Sequence, residues 1–129
     1  MPKRLTILAV DDTSIQLALI ECYLTSLNSP YELNTASGGH AAWKMLSGTP
    51  DRYDLVLLDR NMPDMDGLEV LKLMRQHEIL KNIPVILQTA NTEEEDIREA
   101  VRAGTPYYLT KPFTKESMLA IIDSALKNQ

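Results

Sequence analysis

The sequence predicts an α/β fold, a doubly wound parallel sheet with helices on both faces. Three observations carry that prediction. Five short apolar runs alternate with five stretches of helical spacing. The first, third and fourth runs are apolar almost throughout, as strands covered on both faces must be. No repeat, linker or low-complexity segment breaks the alternation, so crossover helices must join parallel strands.

The first strand is read at Leu5–Val10. The helix after it carries Leu17, Ile20, Leu24 and Leu27 on one face, with Thr13-Ser14 as its cap. The second run, Tyr31–Thr35, alternates apolar and polar residues, which suits a sheet edge. Ser37 precedes the second helix and Gly48 follows it. Trp43 reads as a packing residue, and His40 and His77 as exposed helix residues. The third strand, Leu55–Leu58, runs into Asp59 and a turn through Gly67. In that turn Asp64 is expected in solvent and Asp66 as a turn or cap residue.

The fourth strand is Pro84–Leu87. Ile97, Ala100 and Val101 share a face of the helix that follows. Thr92 with Glu95 forms a capping box for it, and Gly104 ends it. The acidic run Glu93–Asp96 suits the positive end of that helix. The fifth strand is Tyr107–Leu109, where the two tyrosines must point to opposite faces. Thr114 caps a last helix that buries Met118, Ile121, Ile122 and Ala125.

With 129 residues, one domain is expected. The apolar share is 44% but the aromatic share only 5%, so aliphatic side chains must fill the core. Thirteen basic and 18 acidic residues give a net charge of −5, and no basic run appears. That balance argues against direct binding of nucleic acid. No apolar run approaches the length of a membrane span, and Met1–Arg4 with the residues before Asp11 is too short for a secretory signal. The single Cys22 rules out an internal disulfide and suits a reducing cytoplasm.

Chemistry collects at the carboxyl ends of the strands. The first ends in Asp11-Asp12, the third in Asp59, the fourth in Thr89-Ala90 and the fifth in Lys111-Pro112. In a parallel sheet all four sets meet at one rim, where doubly wound folds bind ligands. Close carboxylates repel and need a cation. Oxygen-only ligands that leave room for water favour Mg²⁺, and no His or Cys ends these strands to suggest zinc. Lys111 supplies a point charge for phosphate, and Thr89 with the Ala90 N–H supplies donors for its oxygens. These parts describe transfer of a phosphoryl group onto or off a carboxylate.

The motif order is Val10-Asp11-Asp12, then Asp54–Asp59, then Met62-Pro63-x-Met65-Asp66-Gly67, then Pro84-Val85-Ile86 leading to Thr89-Ala90, then Leu109-Thr110-Lys111-Pro112-Phe113. In that order the chain resembles the receiver domain of two-component response regulators, from about Leu5 to Leu126. The resemblance implies a single receiver domain over residues 1–129, with a flavodoxin-like five-stranded sheet in the order 2-1-3-4-5. It makes Asp59 the phosphoacceptor for a phosphohistidine on a sensor histidine kinase or phosphotransfer protein. It makes Asp11, Asp12, Asp59 and the backbone carbonyl of Asn61 the Mg²⁺ ligands. Thr89 and Lys111 would contact the phosphoryl group, and Tyr108 would be the aromatic switch that follows Thr89. It further implies a cis Lys111–Pro112 bond, autodephosphorylation whose rate is tuned at Asn61 and Asn91, and a partner surface on the fourth helix, fifth strand and fifth helix. It also implies a downstream protein target, not named by the sequence, and allows a phosphorylation-dependent dimer.

Two other readings compete. An aspartyl-phosphate phosphatase on a similar sheet would carry D-x-D-x-T on its first strand, whereas this strand ends Asp11-Asp12-Thr13. A degenerate receiver would bind partners without phosphorylation, yet all five functional positions are filled. Pro106 departs from the family pattern and stiffens the approach to Tyr108. The chain reads equally as a stand-alone receiver or as part of a larger regulator.

Overall fold

The computed structural model describes residues 4–90 and 93–128. Thr92 of the expected capping box and Asn91 lie outside them. Five strands alternate with five helices: β1 (Leu5–Val10), α1 (Ser14–Leu24), β2 (Tyr31–Ala36), α2 (Gly39–Gly48), β3 (Leu55–Asp59), α3 (Gly67–Arg75), β4 (Val85–Thr89), α4 (Glu94–Ala103), β5 (Tyr107–Thr110) and α5 (Lys115–Lys127). A short 3-10 turn, Leu80–Asn82, precedes β4. The sheet is parallel throughout, in the order β2-β1-β3-β4-β5, as expected.

Side chains alternate across the central strands and build two cores. Leu8, Val10, Val56, Leu58, Val85 and Leu87 face α2, α3 and α4. Ile7, Ala9, Leu55, Leu57, Ile86 and Leu109 face α1 and α5. Every residue of β3 and β4 is buried, which is why those segments read as continuous apolar runs. Tyr107 joins the α1–α5 side and Tyr108 the α4 side, as the alternation requires.

Several expectations need correction. Leu27 lies past the end of α1 and is 92% exposed, because the helix stops at Leu24. Ile97 and Val101 face solvent, whereas Ala100 and Ala103 are buried. The small Ala100 and Ala103 take the inner face of α4 in the core, and the larger residues are left outside. Ser37 is not the cap of α2. Gly38 stands at the cap position, and the Gly39 and His40 N–H groups donate to the Asp64 carboxylate at 3.1 and 3.0 Å. His77 is not on a helix. It follows α3, meets the Trp43 ring edge-on, and its Nδ1 accepts from Ile79 and Leu80. Thr13 holds the cap position of α1, but its hydroxyl donates to Asp11 instead.

Other signals are found as read. Asp66 caps α3 by accepting from the Leu68 N–H. Gly104 ends α4 at φ 119°, and Thr114 forms a capping box with Ser117 on α5.

Candidate functional site

The carboxyl rim of β1, β3 and β5 gathers Asp11, Asp59 and Lys111. Lys111 Nζ lies 3.0 Å from Asp11 Oδ2 and 3.0 Å from Asp59 Oδ1. Asp11 is fully buried and Asp59 is 3% exposed. Asp12 is exposed at the mouth. One oxygen from each of Asp11, Asp12 and Asp59 falls within a mutual 4.8 Å. Asp11 Oδ1 also accepts from the Thr13 N–H and hydroxyl, at 3.0 and 2.9 Å, which fixes the carboxylate.

Charge balance in this pocket is uneven. Burial pushes the Asp59 carboxyl up to about 6; the Lys111 hydrogen bond opposes that rise and the Asp11 charge adds to it. For Lys111 burial disfavours the ammonium, but its hydrogen bonds to Asp59 and Asp11 outweigh burial and hold it above its usual range. An all-oxygen cluster, with one member open to water, suits a hard divalent cation that keeps part of its hydration shell.

Local backbone geometry makes the site possible. Gly67 comes so close to β3 that an added Cβ would stand 2.3 Å from the Asp59 carbonyl oxygen. Its N–H donates to the Arg60 carbonyl at 2.9 Å, so the turn folds back on the strand end. The Asn61 N–H donates to Asp59 Oδ1 at 3.3 Å, and Asn61 itself is exposed beside the site. On the other side the Lys111 N–H donates to the Thr89 carbonyl at 2.9 Å, which ties the end of β5 to the end of β4. The Lys111–Pro112 bond is cis.

Thr89 is fully buried at the end of β4. Tyr108, the register partner of Leu87, lies two pairs back from Thr89, on the same sheet face. The structure thus collects Asp11, Asp12, Asp59 and Lys111 in one pocket, and sets Thr89 and Tyr108 along the α4 side.

Sequence reasoning missed two residues here. Arg60 follows Asp59 and pairs with Asp96 at 3.4 Å and with Glu99, both on α4, and it hydrogen-bonds Tyr108. The acidic run read as a helix-end feature therefore also anchors α4 to the strand that carries Asp59. A basic residue directly after a buried strand was the available signal. Asp64, read as merely exposed, ties the turn after β3 to the start of α2.

A doubly wound sheet with an acidic, lysine-bearing pocket at its carboxyl rim has the parts of a carboxylate phosphoacceptor. The family model for the response regulator receiver domain matches residues 7–123, and the chain belongs to that family. The chain is 37% identical over 123 residues to chemotaxis protein CheY-3 of Vibrio cholerae serotype O1, covering 94% of this chain and 91% of that protein. Among solved structures, Vibrio cholerae chemotaxis protein CheY4 superposes with a TM-score of 0.87 at 30% identity, covering 95% of this chain and 99% of that one. The receiver domain of sensor histidine kinase PA1611 from Pseudomonas aeruginosa PAO1, solved with a magnesium ion coordinated in its active-site cleft, gives 0.83 at 30% identity. That match covers 96% of this chain and 98% of that one. The chain is thus a receiver of two-component signalling, not an enzyme of the ordinary kind.

Proposed function

We propose that Asp59 accepts a phosphoryl group from a phosphohistidine on a sensor histidine kinase or phosphotransfer protein, in a Mg²⁺-dependent step. The observation that carries this reading is the 3.0 Å contact of Lys111 with Asp59 inside a cluster of three carboxylates. An Asp59 oxygen attacks phosphorus, the P–N bond breaks, and its electron pair stays on the imidazole. Lys111 meets the charge of the phosphoryl oxygens. Asp11, Asp12, Asp59 and the Asn61 carbonyl would hold Mg²⁺, which when bound neutralises charge on the transferring group. The magnesium ion in the active-site cleft of the PA1611 receiver supports a Mg²⁺ site in this pocket.

Thr89 then turns toward the phosphoryl group and Tyr108 follows, which alters the α4–β5–α5 surface for a protein partner or a second phosphorylated copy. The placement of Thr89 and Tyr108 along one sheet face supports this order. The domain also assists its own dephosphorylation, with Asn61 at the mouth admitting water. Residues 1–129 act as one receiver unit. No helix among the described residues is long and apolar enough to cross a membrane, which fits action in the cytoplasm.

Incubation with Mg²⁺ and acetyl phosphate, followed by intact-mass measurement, tests the assignment. One phosphate adduct is expected, absent in Asp59→Asn and after chelation. An adduct that survives Asp59→Asn sinks it.

A further inference from the structure

Thr13 stands at the cap position of α1 with extended backbone angles, φ −105° and ψ 127°, yet its side chain caps no helix N–H. A threonine there ordinarily accepts from the second or third helical N–H. The first turn of α1 has no acidic residue to compensate. The Thr13 hydroxyl instead donates to Asp11 Oδ1 at 2.9 Å, and its N–H donates to the same oxygen at 3.0 Å. A rule of local stability is broken at the edge of the candidate site, where such breaks tend to have a functional reason.

The reason lies in a competition for one ammonium. Lys111 Nζ is 3.0 Å from Asp11 Oδ2 and 3.0 Å from Asp59 Oδ1. Asp11 is fully buried, so with fewer donors it would draw the ammonium to itself. Both Thr13 donors meet Oδ1 and leave Oδ2 to face Lys111. Each also takes up part of the Asp11 charge, so less remains to hold the ammonium. Lys111 is therefore shared evenly between the two carboxylates. An ammonium has three N–H donors. With one on Asp11 and one on Asp59, the third is left for a phosphoryl oxygen at the point of attack. A Lys111 held mainly by Asp11 would stand back from that point and neutralise less of the charge on the transferring group.

We propose that Thr13 is a positioning residue for phosphoryl transfer: its hydroxyl holds Asp11 so that Lys111 stays shared with Asp59. This inference rests on Asp59 being the acceptor.

Thr13→Val keeps the shape of the side chain and the backbone N–H, and removes the hydroxyl alone. Its methyl fills the vacated place, so water does not reach the buried Asp11 oxygen instead. Phosphorylation by acetyl phosphate at saturating Mg²⁺, followed by intact mass, is expected to slow by roughly three- to tenfold, the effect of about one hydrogen bond. Thr13→Ser, which keeps the hydroxyl, restores the rate. The nitrogen resonance of the Lys111 ammonium, read in chelator without phosphate donor, moves in Thr13→Val and returns in Thr13→Ser. A Thr13 that serves only the start of α1 predicts a lower melting temperature with an unchanged rate and an unmoved Lys111 resonance. That result overturns the proposal alone. Absence of any adduct in the unmodified protein overturns the Asp59 assignment, and the proposal with it.

Discussion

Lys111 bridges Asp59 and Asp11, with its Nζ 3.0 Å from an oxygen of each, so one partly exposed ammonium balances two buried carboxylates. Replacing it with Met leaves both charges facing each other in a poorly solvated pocket. The Lys111→Met protein is expected to lose on the order of 2 kcal/mol of stability without metal, less than for a fully buried pair. Millimolar Mg²⁺ recovers part of that loss. Thermal melts with and without chelator check both.

The pH dependence follows from Asp59. Its carboxyl titrates near 6 in the folded protein, against 3.8 for the ordinary group. Below the lower value both states are protonated and Asp59 contributes no penalty. Between the two values the folded state holds a proton that the unfolded state releases, so stability falls as pH rises, and it levels off above the folded value. Asp59→Asn removes that slope. Urea unfolding in chelator is expected to show the variant more stable by on the order of 2 kcal/mol at neutral pH and equal to the parent in acid.

Gly67→Ala tests the fold-back of the turn. The new methyl would stand 2.3 Å from the Asp59 carbonyl oxygen, a backbone atom unable to move aside without shifting the strand end. A loss of about 2–4 kcal/mol is expected, together with slower phosphorylation by acetyl phosphate. Urea midpoints and adduct formation rates report the two effects.

Arg60→Met cuts the tie between the end of β3 and Asp96 and Glu99 on α4. Partly exposed ion pairs contribute little globally, so the overall midpoint should move by under about 1 kcal/mol. The effect concentrates in α4, whose buried face is only Ala100 and Ala103. Amide hydrogen exchange is expected to quicken across Glu94–Ala103 and to stay unchanged in α5.

The pocket was legible in the sequence because each of its parts ends a strand. Once Leu5–Val10, Leu55–Leu58 and Tyr107–Leu109 read as parallel strands, Asp11, Asp59 and Lys111 had to share a rim. What stayed hidden were contacts between segments with no common period. Ser37 fits the capping pattern locally, yet the α2 N–H groups go to Asp64, 25 residues from Gly39. Ile97 and Val101 keep helical spacing with Ala100, but which of them is covered depends on how α4 is rotated against its neighbours, and only Ala100 is buried. Gln88 lies one residue past the run read as the fourth strand, and its pairing with Asp59 follows from register, not from order along the chain.

Asp11 and Lys111 are 100 residues apart, yet they form one ion pair. The last strand must dock on the sheet edge before the pocket's charges balance. During synthesis, a chain that has not yet delivered β5 carries its carboxylates without their cation. Contacts this distant form late, since closing the intervening loop is entropically opposed. Until β5 is docked, Asp11 and Asp59 therefore lack the ammonium that Lys111 brings to both.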